Sequence, residues 1–163
     1  MSGLAAWEPI LEQLPDDTRS LFMPFQNSSA LASEFIQQGI QKNPAFLSEL
    51  LHASSLQNAL IASEFENLLL SVQNETELMR VSRQFRLQQM LRIAWGDLSN
   101  QLNLLAVMQE VSQLADVMLS LILKKLMAWH VEQYGLPQDA HQHPQSMIII
   151  ALGKLGGKEL RCV

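Results

Sequence analysis

The sequence predicts a mainly α protein: a helical array of five or six helices followed by one terminal strand. Three observations carry that expectation. Apolar residues recur every three or four positions through most of the chain, the spacing that gathers them on one face of a helix. Prolines, glycines and capping residues divide the periodic stretches into segments of helical length. At Met147 the period changes to a continuous apolar run, Met147-Ile-Ile-Ile-Ala-Leu152, which is rich in β-branched residues and reads as a buried strand.

The first stripe is Leu4, Trp7, Leu11 and Leu14, ended by Pro15. A second helix is expected from about Ser29 to Lys42, with Leu31, Phe35, Ile36 and Ile40 on one face. Asn43-Pro44 then separates it from a short third helix, Ala45 to Leu51; Asn can cap, and proline suits a first helical position, where its missing N–H has no partner to lose. A fourth helix is expected over 56–72.

Asn74-Glu-Thr-Glu77 resembles a capping box, opening a fifth helix from Leu78 to about Leu98. It should carry Val81, Phe85, Met90, Leu91, Ala94 and Trp95 inward. Arg80, Arg83, Arg86 and Arg92 fan around its outer surface, and a solvated face pairing with Glu75 and Glu77 accounts for most of them. The sixth helix runs from Leu104 to Tyr134, with Val107, Met108, Val111, Leu114, Ala115, Met118, Leu121 and Ile122 as its stripe and Gly135 as its stop. The division expected is a helical region over 1–137, a connecting loop over 138–146, and 147–163 as the incomplete start of a further domain.

At 163 residues the chain can form one ordinary domain with a real core. The first twenty residues include Glu8, Glu12, Asp16 and Asp17 and show no signal-peptide pattern. The run Val117 to Leu123 is stopped by Lys124 and Lys125, short of the roughly 20 residues that span a bilayer, so the chain is expected to be soluble with no membrane partner. A single cysteine, Cys162, excludes an internal disulfide framework and fits a reducing cytoplasm. A net charge of -5 and a pI near 5.3 disfavour nucleic acid, while leaving room for a protein partner or a single nucleotide.

Little catalytic chemistry is legible directly. Gly153-Lys-Leu-Gly-Gly-Lys158 follows the apolar run, but its spacing fits neither the P-loop nor the dinucleotide fingerprint. A glycine pair can still bring backbone N–H groups close to a phosphate, although an ordinary tight turn is the commoner outcome. His141 and His143 lie in a polar loop without a third ligand at useful spacing, His130 reads as a packing or surface residue, and Asp116 lacks a second carboxylate. The eight methionines fall mostly on stripe positions as core filler.

The octapeptide Gly153-Lys-Leu-Gly-Gly-Lys-Glu-Leu160 is similar to a signature of the bacterial glutamine synthetase adenylyltransferases, the bifunctional enzymes also called adenylyl-removing enzymes. Ser33 to Leu50, Leu78-Met-Arg80, Phe85-Arg86, Met90 to Trp95 and Leu114-Ala-Asp116 also resemble the amino-terminal region of that family. The resemblance implies that the strand and Gly-Gly turn open a nucleotidyltransferase fold of the DNA polymerase β type, with Gly156 and Gly157 on the phosphate side and Lys154 in the same neighbourhood. It implies Mg, with ATP, ADP and phosphate as substrates, and glutamine synthetase and a PII signalling protein as partners. In the family pattern the octapeptide is followed by Asn, two further residues and then Ser-Asp-x-Asp-Leu, whose Asp-x-Asp holds the metal. Here Arg161 stands at the Asn position and the Asp-x-Asp is missing, so the expectation is a truncated member with no activity by itself. The alternative is a non-enzymatic helical module that binds glutamine synthetase or a PII protein.

Overall fold

The computed structural model describes residues 7–53, 56 and 60–157. Its helices are α1 (Glu8–Leu11), α2 (Asp16–Phe22), α3 (Glu34–Lys42), α4 (Pro44–His52), α5 (Ile61–Leu70), α6 (Glu75–Leu98), α7 (Leu104–Tyr134) and α8 (Gly153–Gly156), with 3-10 turns at Met23–Phe25 and Ser29–Ala32. The mainly α expectation holds, and no strand occurs among the described residues.

Local chemistry sets the ends of the two long helices. Asn74 Oδ1 accepts from the Glu77 N–H at 2.9 Å, satisfying a donor that a helix start leaves open, while Glu77 Oε2 reaches back one residue past the cap to accept from the Gln73 N–H at 3.0 Å. Asn103 does the same for α7, accepting from the Ala106 N–H at 2.9 Å. Gly135, at φ 84, ends α7 in a conformation open to glycine at little cost.

Several segments differ from the sequence expectation. The first stripe is helical only over α1, although Trp7, Ile10 and Leu14 are buried; Leu4 lies outside the described residues. α1 ends at Leu11 with Glu12 as its C-cap, ahead of the expected stop at Pro15; Pro15 instead stands at the N-cap of α2, a helix the stripe reading missed. The expected second helix divides at Ser33, whose extended backbone caps α3 with its Oγ accepting from Ile36 N at 3.4 Å. Asn43 makes no side-chain cap; Pro44 simply occupies the first turn. Of the expected fourth helix, α5 is described, and 57–59 lie outside the described residues.

Two cores form, and α6 runs between them. The first gathers α1 to α4 around Trp7, whose Nε1 donates to the Leu31 carbonyl at 3.0 Å and whose ring lies 6.5 Å from Trp95 of α6. The second joins α5, α6 and α7 around Phe65, Phe85, Val107 and Leu114, with Phe65 and Phe85 stacked at 4.7 Å. Because α6 faces both cores near its end, Leu91, Arg92, Ile93, Ala94, Trp95 and Gly96 are all buried in succession. A solvent-facing helix would bury only one stripe of such a run.

By length and composition α7 is sufficient to cross a membrane, with a mean hydropathy of 1.3 over its best window. In this fold its apolar stripe is turned onto α5 and α6.

The loop after α7 is closed by an isolated antiparallel bridge between Gln138 and Pro144. Residues 147–152 then carry no regular structure, and Ile148, Ile150 and Leu152 are 73%, 73% and 82% exposed. The expected strand is therefore not formed. The physical reason is the absence of a ladder: a strand satisfies its backbone donors and acceptors only on a neighbouring strand, and none pairs with this segment among the described residues.

Candidate functional site

The segment singled out by the sequence, Gly153 to Gly157, folds into the single helical turn α8. Gly153 sits at φ 63, the left-handed region, so it can enter the turn directly from the extended Leu152. Gly156 is required for a different reason: a Cβ built there would lie 2.6 Å from the Ala151 carbonyl oxygen, so the turn folds back onto the chain that enters it. Gly157 closes the turn, its N–H donating to the Gly153 carbonyl at 3.0 Å.

Lys154, Gly156 and Gly157 are all exposed and lie within this one turn. The structure thus places the three residues of the sequence-based site together. The Gly157 N–H is engaged within the turn in this conformation, and Glu159 and Cys162 lie outside the described residues.

The loop histidines are organised by Asp139. Its Oδ1 accepts from the N–H groups of His141 at 2.8 Å and His143 at 2.9 Å, and its Oδ2 lies 3.2 Å from His143 Nδ1. The backbone bond from His143 is the main reason the Asp139 carboxyl is held below its ordinary value; desolvation works against it, and the His141 N–H and the His143 ring add to the lowering. His130 is turned back to the Leu126 carbonyl at 2.9 Å, and Asp116 is exposed on α7. Among the described residues no group of three or more His, Cys, Asp or Glu is arranged to hold a metal ion.

The arginines of α6 separate into distinct environments. Arg80 donates to Gln84 at 2.8 Å and lies 3.8 Å from Glu77, the solvated pairing expected of a surface helix. Arg92 departs from that expectation. It is buried, with Nε donating to Gln89 at 2.8 Å and Nη2 donating to Glu110 of α7 at 2.5 Å. Glu110 stands between Val107 and Leu114 inside the apolar stripe of α7, and that break in the stripe was the available sign of a buried charge.

Clefts open between α6 and its neighbours. One, of about 550 Å³, lies between α3, α4, α5 and α6 and includes Lys42, Phe46, Leu68 and Arg80. Another, of about 320 Å³, is lined by Phe35, Arg83, Arg86, Leu87 and Met90. Phe35, expected on the inner face of its helix, is 42% exposed and borders this second cleft.

Comparison with known proteins connects the helical body to the terminal turn. The family model described as glutamate-ammonia ligase adenylyltransferase matches residues 28–162. A bifunctional glutamine synthetase adenylyltransferase/adenylyl-removing enzyme from Pseudomonas syringae pv. tomato is 32% identical over 154 residues, covering 91% of this chain and 15% of that protein. The proteins of the same name from Shewanella loihica and Pseudomonas aeruginosa are 30% and 34% identical, over 95% and 80% of this chain. The chain spans 16% and 14% of their respective lengths. With the match running through most of the helices and the glycine turn alike, this chain belongs to the glutamate-ammonia ligase adenylyltransferase family.

Proposed function

We propose that these residues are the amino-terminal helical region, 1–137, and the threshold of a nucleotidyltransferase domain, 147–163, of an enzyme that controls glutamine synthetase by nucleotidyl transfer, with 138–146 as the connection. The observation that carries this reading is the family match over 28–162, which extends from the helices into the glycine octapeptide. On this reading 147–152 becomes the first strand of a polymerase-β-type sheet once paired. Gly156 and Gly157 then form the phosphate-side turn, with Lys154 beside them, and the setting is cytoplasmic.

Nucleotidyl transfer of this type uses Mg to neutralise developing charge on the phosphates of ATP or ADP. The residues present do not fit that ion: the sequence contains no Asp-x-Asp, and the described part of the turn offers only backbone and the Lys154 ammonium. No metal-dependent step is therefore assigned to this chain. Incubated with adenylylated glutamine synthetase, phosphate and Mg, the 163-residue chain is expected to release no ADP above background. Mg-dependent release of ADP would refute the reading.

A binding role is favoured by one further feature. Among the described residues both hydrophobic cores are built from side chains preceding Met147, so the described part of the terminal segment, 147–157, adds nothing to them. A helical module of this kind can engage glutamine synthetase or a PII protein without turnover, and immobilised chain titrated with each purified partner tests this directly.

A further inference from the structure

We propose that the cleft lined by Phe35, Arg83, Arg86, Leu87 and Met90 is a docking surface for an acidic, amphipathic segment of a partner protein. Residues three and four apart are neighbours on a helix. Arg80 has Glu77 and Gln84 at those distances and pairs with both. Arg83 has Arg80, Met79, Arg86 and Leu87; Arg86 has Arg83, Ser82, Gln89 and Met90. Neither has a carboxylate within reach along its own helix, and among the described residues neither makes a hydrogen bond or ion pair with another element.

Two like charges one turn apart disfavour each other, the more so when nothing nearby neutralises them. They also flank apolar surface: Leu87 is 40% exposed and Phe35, reaching across from α3, is 42% exposed, with Met90 partly buried beneath. Guanidinium groups beside an exposed aromatic and a leucine are the composition of an interface anchor more than of a solvated face. The pair also stands out on a chain whose net charge is -5.

The occupant that this chemistry fits carries carboxylates about one helical turn apart, with a leucine-like side chain between them. The carboxylates would meet Arg83 and Arg86 in charge-assisted, bidentate hydrogen bonds, while the apolar side chain covers Phe35 and Leu87. A nucleic acid fits less well, since two arginines give little phosphate neutralisation on an acidic protein. This inference does not depend on the proposed enzyme role.

The test uses the full 163-residue chain and a fluorescein-labelled helical peptide built from repeats of Glu, Leu and Ala, read by fluorescence anisotropy. A control peptide carries Lys at each Glu. The Glu peptide should bind and the Lys peptide should not. The double variant R83E/R86E should weaken binding at least about tenfold, and so should raising the salt to about 1 M. L87D should weaken it as well. K124E/K125E, an equal change of charge on α7, should leave it within about twofold. Both arginines are exposed, so the variants should fold, and unchanged circular dichroism would establish it.

The proposal is overturned if the two peptides bind alike, or if K124E/K125E loses as much affinity as R83E/R86E. It is equally overturned if sedimentation shows a wild-type dimer that R83E/R86E dissociates and the Glu peptide does not, because the occupant is then a second copy of this chain.

Discussion

The helical body buries its large apolar residues, whereas the wholly apolar run from Met147 leaves its own exposed. In the body, Trp7, Ile36, Leu47 and Trp95 are fully buried. In the segment, Ile148, Ile149, Ile150 and Leu152 remain half or more exposed. Helices satisfy their own backbone hydrogen bonds, so an apolar helical face needs only another face to pack against. A strand also needs a neighbour's N–H and C=O groups. The same hydrophobicity therefore completes a core in one region and leaves an open requirement in the other.

Four measurements test this contrast. The largest effect is expected from Trp95→Ala, which removes the ring packed against Trp7 and Phe25. It should cost about 3–5 kcal/mol in denaturant unfolding and disrupt the first core. A loss below about 1 kcal/mol would mean that the two regions do not differ in the way described.

The buried ion pair supplies the second. Arg92 and Glu110 are 11% and 8% exposed in their side chains, so Glu110→Ala should destabilise by about 3–5 kcal/mol because it leaves the guanidinium unpaired between helices. The double replacement R92M/E110L should recover most of that loss, since replacing both charges with apolar groups removes the desolvation cost. If the double variant is as unstable as the single, the pair does more than satisfy its own burial.

Third, Asn74→Ala should cost about 1 kcal/mol by removing the cap of α6, with Asn103→Ala similar at α7. The smallest effect belongs to the terminal segment. Ile148→Ser with Ile150→Ser should change the unfolding free energy of the body by less than about 0.5 kcal/mol, while lowering any self-association measured by light scattering. A large loss of stability there would show that the segment packs on the body in solution.

The sequence made the long elements legible because their signals are local. Asn74 and Gly135 are capping chemistry within a few residues of the ends they set, and the expected limits of the sixth helix, Leu104 and Tyr134, are those observed for α7. The short elements were less legible. Pro15 opens α2, a helix that the stripe of Trp7, Leu11 and Leu14 does not announce, and Ser33 divides a stripe whose periodicity continues unbroken through it. The glycine octapeptide marked the family, and the family match bears that out.

Local sequence alone thus set the two long helices, the cap at Asn74, the stop at Gly135 and the family signature, each through residues close together in the chain. The fate of side chains whose partners lie far away was left to tertiary packing. Arg80 and Arg92 share a helix and a charge, but one meets Glu77 in solvent and the other meets Glu110 between two helices. Periodicity gives the direction in which a side chain leaves its helix, whereas burial and pairing depend on which element arrives in that direction. That dependence is why Arg92 is enclosed, Phe35 is open to solvent, and the apolar run from Met147 stands without a ladder.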